Sequence, residues 1–202
     1  VAVADAHLFE PRPTHRMRLK YSGKRTSGAR GVWPENPDEG VYLYYTLSQE
    51  PEETLRLEIS DAQGRLVESF SSRTADGDPG PLGAEPGLNR IAWDLKYSEA
   101  YLAPGVNEGF RERIAVVTGY TGGPYAVPGT YEATLIVDGK RLTQDVTVLA
   151  DPRSDATEEE LQENFDLSIR VRDRITAIQE GVALGQRALS RVARFAAITP
   201  VP

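Results

Sequence analysis

Thr130-Tyr131-Glu132-Ala133-Thr134-Leu135-Ile136-Val137, followed by Asp138-Gly139 and then by Leu142-Thr143-Gln144-Asp145-Val146-Thr147-Val148, is the stretch that decides the fold. The first run is rich in β-branched and aromatic residues, which pack well on a pleated surface. Asp-Gly is the dipeptide that a two-residue hairpin turn favours, because both central positions take positive φ. The last run alternates apolar and polar residues, the period of a strand with one buried face. The stretch therefore reads as a β-hairpin. Such a hairpin is stable only when its apolar face is covered.

The same signals recur upstream. Val41–Leu47 is a strand by residue type, and Leu55–Ile59 alternates with period two. Asp61-Ala62-Gln63-Gly64 is a turn, and Leu66–Phe70 returns from it as the second arm of a hairpin. Asn89–Leu95 is a strand carrying Trp93. Residues 73–87 are a Gly/Pro loop, and 96–129 form a long insertion with several aromatics. Several short strands without intervening helices predict two sheets packed face to face. The expected fold is mainly β, an immunoglobulin/fibronectin-III-like antiparallel β-sandwich over residues 41–150. Trp93, Leu135, Val137 and Ile59 are its expected core. Residues 1–40 read as an N-terminal strand remnant, with a short edge strand at Met17–Tyr21, followed by a Gly/Pro-rich linker.

After Asp151-Pro152-Arg153 the period changes. Thr157-Glu158-Glu159-Glu160 is a capping box, in which hydroxyl and carboxylate each satisfy a free amide of the first turn. Leu167, Val171, Ile175, Ile178, Val182, Leu189 and Val192 then follow at helical spacing and form one apolar stripe. Residues 151–202 thus read as a long amphipathic C-terminal tail. It is either one helix of about 60 Å or a helical hairpin broken near Gly181 and Gly185. The stripe is the candidate interaction site. Its expected cover is a second copy, a hairpin partner within 157–198, or another domain of a longer protein, and the competing expectation is that the helix lies back along one sheet.

Composition narrows the function. The chain has 202 residues, a net charge of −7 and no cysteine. The acidic balance argues against nucleic-acid binding, although Arg12, Arg16, Arg18, Lys20, Lys24, Arg25 and Arg30 make the N-terminal stretch basic. Disulfides, thiolate metal sites and cysteine nucleophiles are excluded. No apolar run is long enough to span a membrane. Val1 opens directly into a strand-like pattern without a signal-peptide profile, which suggests a fragment or a processed product.

Catalytic patterns are absent. His7 and His15 are the only histidines and read as surface residues. Gly119-Tyr120-Thr121-Gly122-Gly123 lacks the Lys-Ser/Thr that a phosphate loop requires. Asp76 and Asp78 fall short of the oxygen count that Ca²⁺ needs, and the glutamates 158–160 are explained by capping. No catalytic, cofactor-binding or metal residue is expected, and no cofactor. Trp33, Tyr97, Tyr101, Tyr120 and Tyr125 lie in loops. Several exposed, coplanar rings among them would fit sugar stacking, whereas buried rings would pin loops to the sheets.

Six stretches taken in order carry a resemblance. They are Leu8-Phe9-Glu10-Pro11-Arg12; Glu35-Asn36-Pro37 with Tyr44-Tyr45; Gly87–Leu95; Pro128-Gly129-Thr130-Tyr131; Asp151-Pro152-Arg153; and Phe165-Asp166-Leu167. Together they resemble the C-terminal region of bacterial proteins that carry a sortilin-like (VPS10-type) β-propeller with BNR repeats, often labelled glycosyl hydrolases. Gly87–Tyr131 is also similar to the Ig-like domain of flagellar hook-capping proteins. The resemblance implies a secreted, periplasmic or cell-surface location and a propeller of the same parent protein as partner. It transfers no catalytic residue, because the BNR Asp-box (Ser-x-Asp-x-Gly-x-Thr-Trp) does not occur here. The expected function is a non-catalytic accessory module that supports the propeller or mediates assembly, with homo-oligomerisation through the helix as one form. The alternative is a carbohydrate-binding module that presents glycans to a neighbouring hydrolase domain.

Overall fold

The computed structural model describes residues 5–17, 40–104 and 122–198. It consists mainly of strands in two sheets, followed by one long helix. The strands are β1 (Ala6–Leu8), β2 (Thr14–His15), β3 (Val41–Leu47), β4 (Arg56–Ser60), β5 (Leu66–Ser71), β6 (Gly87–Trp93), β7 (Gly129–Val137) and β8 (Lys140–Leu149); the helix is α1 (Glu158–Ile198). One sheet has the order β1-β3-β6 and the other β2-β8-β7-β4-β5. Every pairing is antiparallel except that of β2 with β8, where Thr14 lies opposite Val148 and His15 opposite Leu149.

Alternation of side chains builds the core. Val41, Leu43, Tyr45 and Leu47 of β3 point inward, while Tyr42, Tyr44 and Thr46 point away. Leu57 and Ile59 of β4, Tyr131, Ala133, Leu135 and Val137 of β7, and Val146 and Val148 of β8 join them in one buried cluster. Trp93 closes one end of it. Its ring meets Tyr131 of the other sheet at 5.2 Å between centroids, edge to face. Its indole Nε1 donates to the carbonyl of Lys96 at 2.8 Å. The four core residues expected from the sequence, Ile59, Trp93, Leu135 and Val137, are all completely buried.

Turn chemistry sets the register. Asp138 (φ 45°) and Gly139 (φ 80°) both take the positive φ of a tight hairpin. At Gly40 (φ 113°) a side chain would collide with the carbonyl of Trp93, so this residue lets β3 start directly beside the end of β6.

The N-terminal segment contributes to both sheets. β1 pairs with β3, the chain passes the buried Pro11 and the exposed Pro13, and β2 then pairs with β8. Gln144 reinforces the crossing by donating to the Leu8 carbonyl at 3.0 Å. Met17 lies outside any strand, and the rest of the expected edge strand, residues 18–21, lies outside the described residues. The same holds for most of the Gly-rich stretch 119–123 and for Trp33 and Tyr120.

The tail is a single helix of 41 residues. The capping box forms as expected: the Glu160 amide donates to Thr157 Oγ1 at 3.2 Å, and the Thr157 amide donates to Glu160 Oε2 at 2.9 Å. The helical hairpin does not occur, because a glycine in a helix costs only about 1 kcal/mol and keeps its hydrogen bonds.

Trp93→Ala should destabilise the β-rich body by roughly 3–5 kcal/mol, read by urea denaturation followed with tyrosine fluorescence. A loss below about 1 kcal/mol would show that the ring does not join the sheets.

Candidate functional site

The helix meets the body through a short ladder of residues that begins in the β4–β5 turn. Asp61 is buried there. Its Oδ1 accepts from the amides of Gln63 (3.0 Å) and Arg65 (2.9 Å), and its Oδ2 accepts from Arg65 Nε (2.8 Å) and Tyr97 Oη (3.3 Å). Desolvation pushes this carboxyl upward, but the hydrogen bonds and charge of Arg65 and the Gln63 amide outweigh it, so it lies below the usual carboxylate value. Burial pushes the Tyr97 hydroxyl well above its ordinary value, so it stays a donor. The Tyr97 ring then packs on Phe165 of α1 at 4.8 Å between centroids. Phe165 is buried, and Ile169, one turn on, packs against the same core.

Beyond Phe165 the docking becomes polar. The amide of Tyr101 donates to Thr176 Oγ1 (3.1 Å), and that of Ala103 donates to Gln179 Oε1 (3.3 Å). Gln186 Nε2 donates to the Pro104 carbonyl at 3.5 Å. Ala183 is buried on this face, two turns after Thr176. Thus the helix side that faces the body runs through Phe165, Ile169, the half-buried Arg172, Thr176, Gln179 and Ala183, at spacings of three and four.

The apolar stripe lies elsewhere. At 3.6 residues per turn its centre is roughly a third of a turn from the docked face. Leu167, Val171, Ile175, Ile178, Val182, Leu189 and Val192 are all exposed. The two stripe positions nearest the docked face are the least exposed, 37% at Ile175 and 39% at Val182, and the other five range from 51% at Val171 to 71% at Leu189. The helix does not lie along a sheet, so the strands leave the stripe uncovered. Sequence periodicity alone finds the stripe. It does not find the docked face, which mixes Phe165, Ile169 and Ala183 with polar residues whose Thr176 and Gln179 oxygens match the backbone donors of loop 101–104.

A second feature escaped the sequence. A groove of about 470 Å³ runs between the loop and the helix, lined by Tyr101, Pro104, Gln186, Arg187, Ser190 and Arg194 among others. Arg191 also lines it, and among the described residues none of these three arginines has an ion-pair partner.

The remaining candidates separate. His7 sits on the three-stranded sheet and packs edge-on against Phe9, whereas His15 is on the other sheet with Nδ1 2.8 Å from the Ala150 carbonyl oxygen. Asp76 and Asp78 lie exposed in a turn closed by the Thr74 amide donating to the Asp78 carbonyl. Among the described residues no group of three or more His, Cys, Asp or Glu is placed to hold a metal ion, and no helix is long and apolar enough to cross a membrane. Of the loop aromatics, Tyr97 is buried, Tyr125 is half-buried with Arg16 and Lys96 over its ring, and Tyr101 is exposed.

No family model, no curated protein and no solved structure matches this chain.

The Asp61 ladder titrates in a defined direction. Its folded pKa lies below the unfolded value of about 3.9, so its stabilisation is complete above that value and is lost as pH falls through the lowered folded value. Asp61→Asn removes this titration. The stability gap between wild type and variant should stay constant between about pH 5 and 7 and shrink below about pH 4. Urea midpoints across that range measure it, and a gap that widens in acid would contradict the assignment.

Proposed function

We propose that this chain is a non-catalytic interaction module: an immunoglobulin-like β-sandwich that holds a helical arm whose apolar stripe receives a partner. The observation that carries the reading is the division of labour on α1, which turns a mixed apolar and polar face to its own body and leaves nine large apolar side chains in solvent, the seven of the stripe together with Leu184 and Phe195. Soluble proteins keep large exposed apolar patches mainly where something docks.

Two features support the immunoglobulin-like assignment. The strand orders β1-β3-β6 and β2-β8-β7-β4-β5 correspond to A-B-E and A′-G-F-C-C′ of that fold. Tyr131, near the start of β7, donates its hydroxyl to the Val127 carbonyl at 2.8 Å, the geometry of a tyrosine corner. One departure is that the buried Trp93 lies on the strand corresponding to E, where antibody domains carry theirs on C.

The ordered motifs from Leu8 to Leu167 support placing the module at the C-terminal end of an exported sortilin-like propeller protein, with the propeller as a partner. The glycan-presenting alternative gains little from the geometry. On the outer face of the three-stranded sheet, Tyr42 and Tyr44 are tilted by 41° and His7 and Phe9 by 80°, so these pairs form no flat platform. Arg90 also lies over the Tyr42 ring at 4.7 Å.

Two measurements test the reading. Purified chain should turn over no chromogenic glycoside or peptide above background, and turnover abolished by one Asp or Glu substitution would refute the non-catalytic assignment. Ile175→Asp combined with Ile178→Asp should change the assembly state in light scattering or lower the binding of an apolar-surface dye severalfold, with helicity retained in circular dichroism. A double variant matching wild type in all three would remove the stripe from the function.

A further inference from the structure

The spacing of the stripe is tighter than a generic amphipathic face. From Val171 the positions 171, 175, 178, 182, 185, 189 and 192 advance by alternating steps of four and three. This is the 3.5-residue repeat of a coiled-coil seam, which keeps one narrow line of side chains facing a second helix. Six of these positions are Val, Ile or Leu, and the seventh is Gly185, where an added Cβ would meet nothing within the chain.

We propose that the occupant of the stripe is a second copy of this chain, its helix running antiparallel about a two-fold axis between Ile178 and Val182. The proposal rests on the reading of the stripe as an interface and names its partner. In an antiparallel pair the two alternating seam positions face one another. Val171 then meets Leu189 of the second copy, Ile178 meets Val182, and Ile175 fills the space left by Gly185. A parallel pair would set Gly185 against Gly185 and leave a hole in the middle of the seam.

Charge selects the same orientation. Glu158, Glu159, Glu160, Glu163 and Asp166 occupy the start of α1, whereas Arg187, Arg191 and Arg194 follow with no acidic residue after Glu180. The helix dipole accounts for the acids of the first turn, but its influence fades within a turn, and no basic residue stands in the last turn. Parallel copies would bring the two acidic ends together. Antiparallel copies keep the two acidic ends apart, and in this register Arg194 comes level with Asp166 and Arg187 with Asp173 of the other copy.

The area is sufficient. The six seam side chains at roughly 100 Å² each, counted on both copies, give on the order of 1,200 Å², at the lower end of the range of stable interfaces. The docked face lies to one side of the seam, so the second helix does not displace the body. A two-fold pairing of identical surfaces also closes on itself and does not propagate.

The chain lacks cysteine, so each introduced thiol is the only one present. The test uses the full chain as Val171→Cys and Leu189→Cys variants, oxidised separately and mixed. Sedimentation of wild type at micromolar concentration should give twice the chain mass, and Ile178→Asp should return it to one chain with unchanged helicity. The mixture should form covalent dimers at least tenfold faster than either variant alone. A single-chain mass at every concentration would overturn the proposal. So would Leu189→Cys crosslinking to itself as fast as to Val171→Cys. If wild type stays a single chain while the stripe still binds dye, the interface reading survives and the self-pairing fails.

Discussion

The edge-to-face contact between Trp93 and Tyr131 is the joint on which the molecule depends. One ring comes from the end of β6 and the other from the start of β7, so the pair joins the two sheets at one end of their shared core. Each ring is held by its polar atom. The indole donates to the Lys96 carbonyl and the phenol to the Val127 carbonyl. Beside the joint, Leu95 takes a positive φ of 60° that an ordinary side chain rarely adopts. The bent segment is stitched by the Ala126 amide donating to the Leu95 carbonyl and the Tyr97 amide donating to the Pro124 carbonyl.

This bend delivers Tyr97 to the place where the helix docks. Its hydroxyl reaches the buried Asp61 and its ring reaches Phe165. A continuous path of contacts therefore runs from the core of the β-rich body to the base of the arm. The arm beyond that base is held mainly by hydrogen bonds to the backbone of loop 101–104, with little burial apart from Ala183. Such bonds contribute about 1 kcal/mol each, so they fix the direction of the helix more than they add to its stability.

Much of this was legible in the sequence, and the reasons are physical. β-strands with one buried face alternate, so β3, β4, β7 and β8 announce themselves, and Asp138-Gly139 and Thr157 through Glu160 mark their turn and cap by residue type. The pairing of Thr14 and His15 with β8 is not legible, because two residues carry no period and Pro11 and Pro13 mask the strand around them. The candidate site was half legible. The stripe from Leu167 to Val192 stands out by its spacing, and the single helix was one of two forms its glycines allowed. Which side of the helix faces the body was hidden, because a face made of Arg172, Thr176 and Gln179 looks like a solvent face until the amides of Tyr101 and Ala103 are seen to need acceptors.

The long unbroken helix is gripped along one side at several points, by Phe165 near its start and by Thr176, Gln179 and Gln186 further on. Only the end beyond Gln186 projects past the last of these contacts, about 12 residues or roughly 18 Å at 1.5 Å per residue. That end is a short cantilever. A load applied at its tip is shared by the contacts of loop 101–104 before it reaches the Tyr97–Phe165 pair, so the aromatic base of the arm is shielded by the polar grips ahead of it.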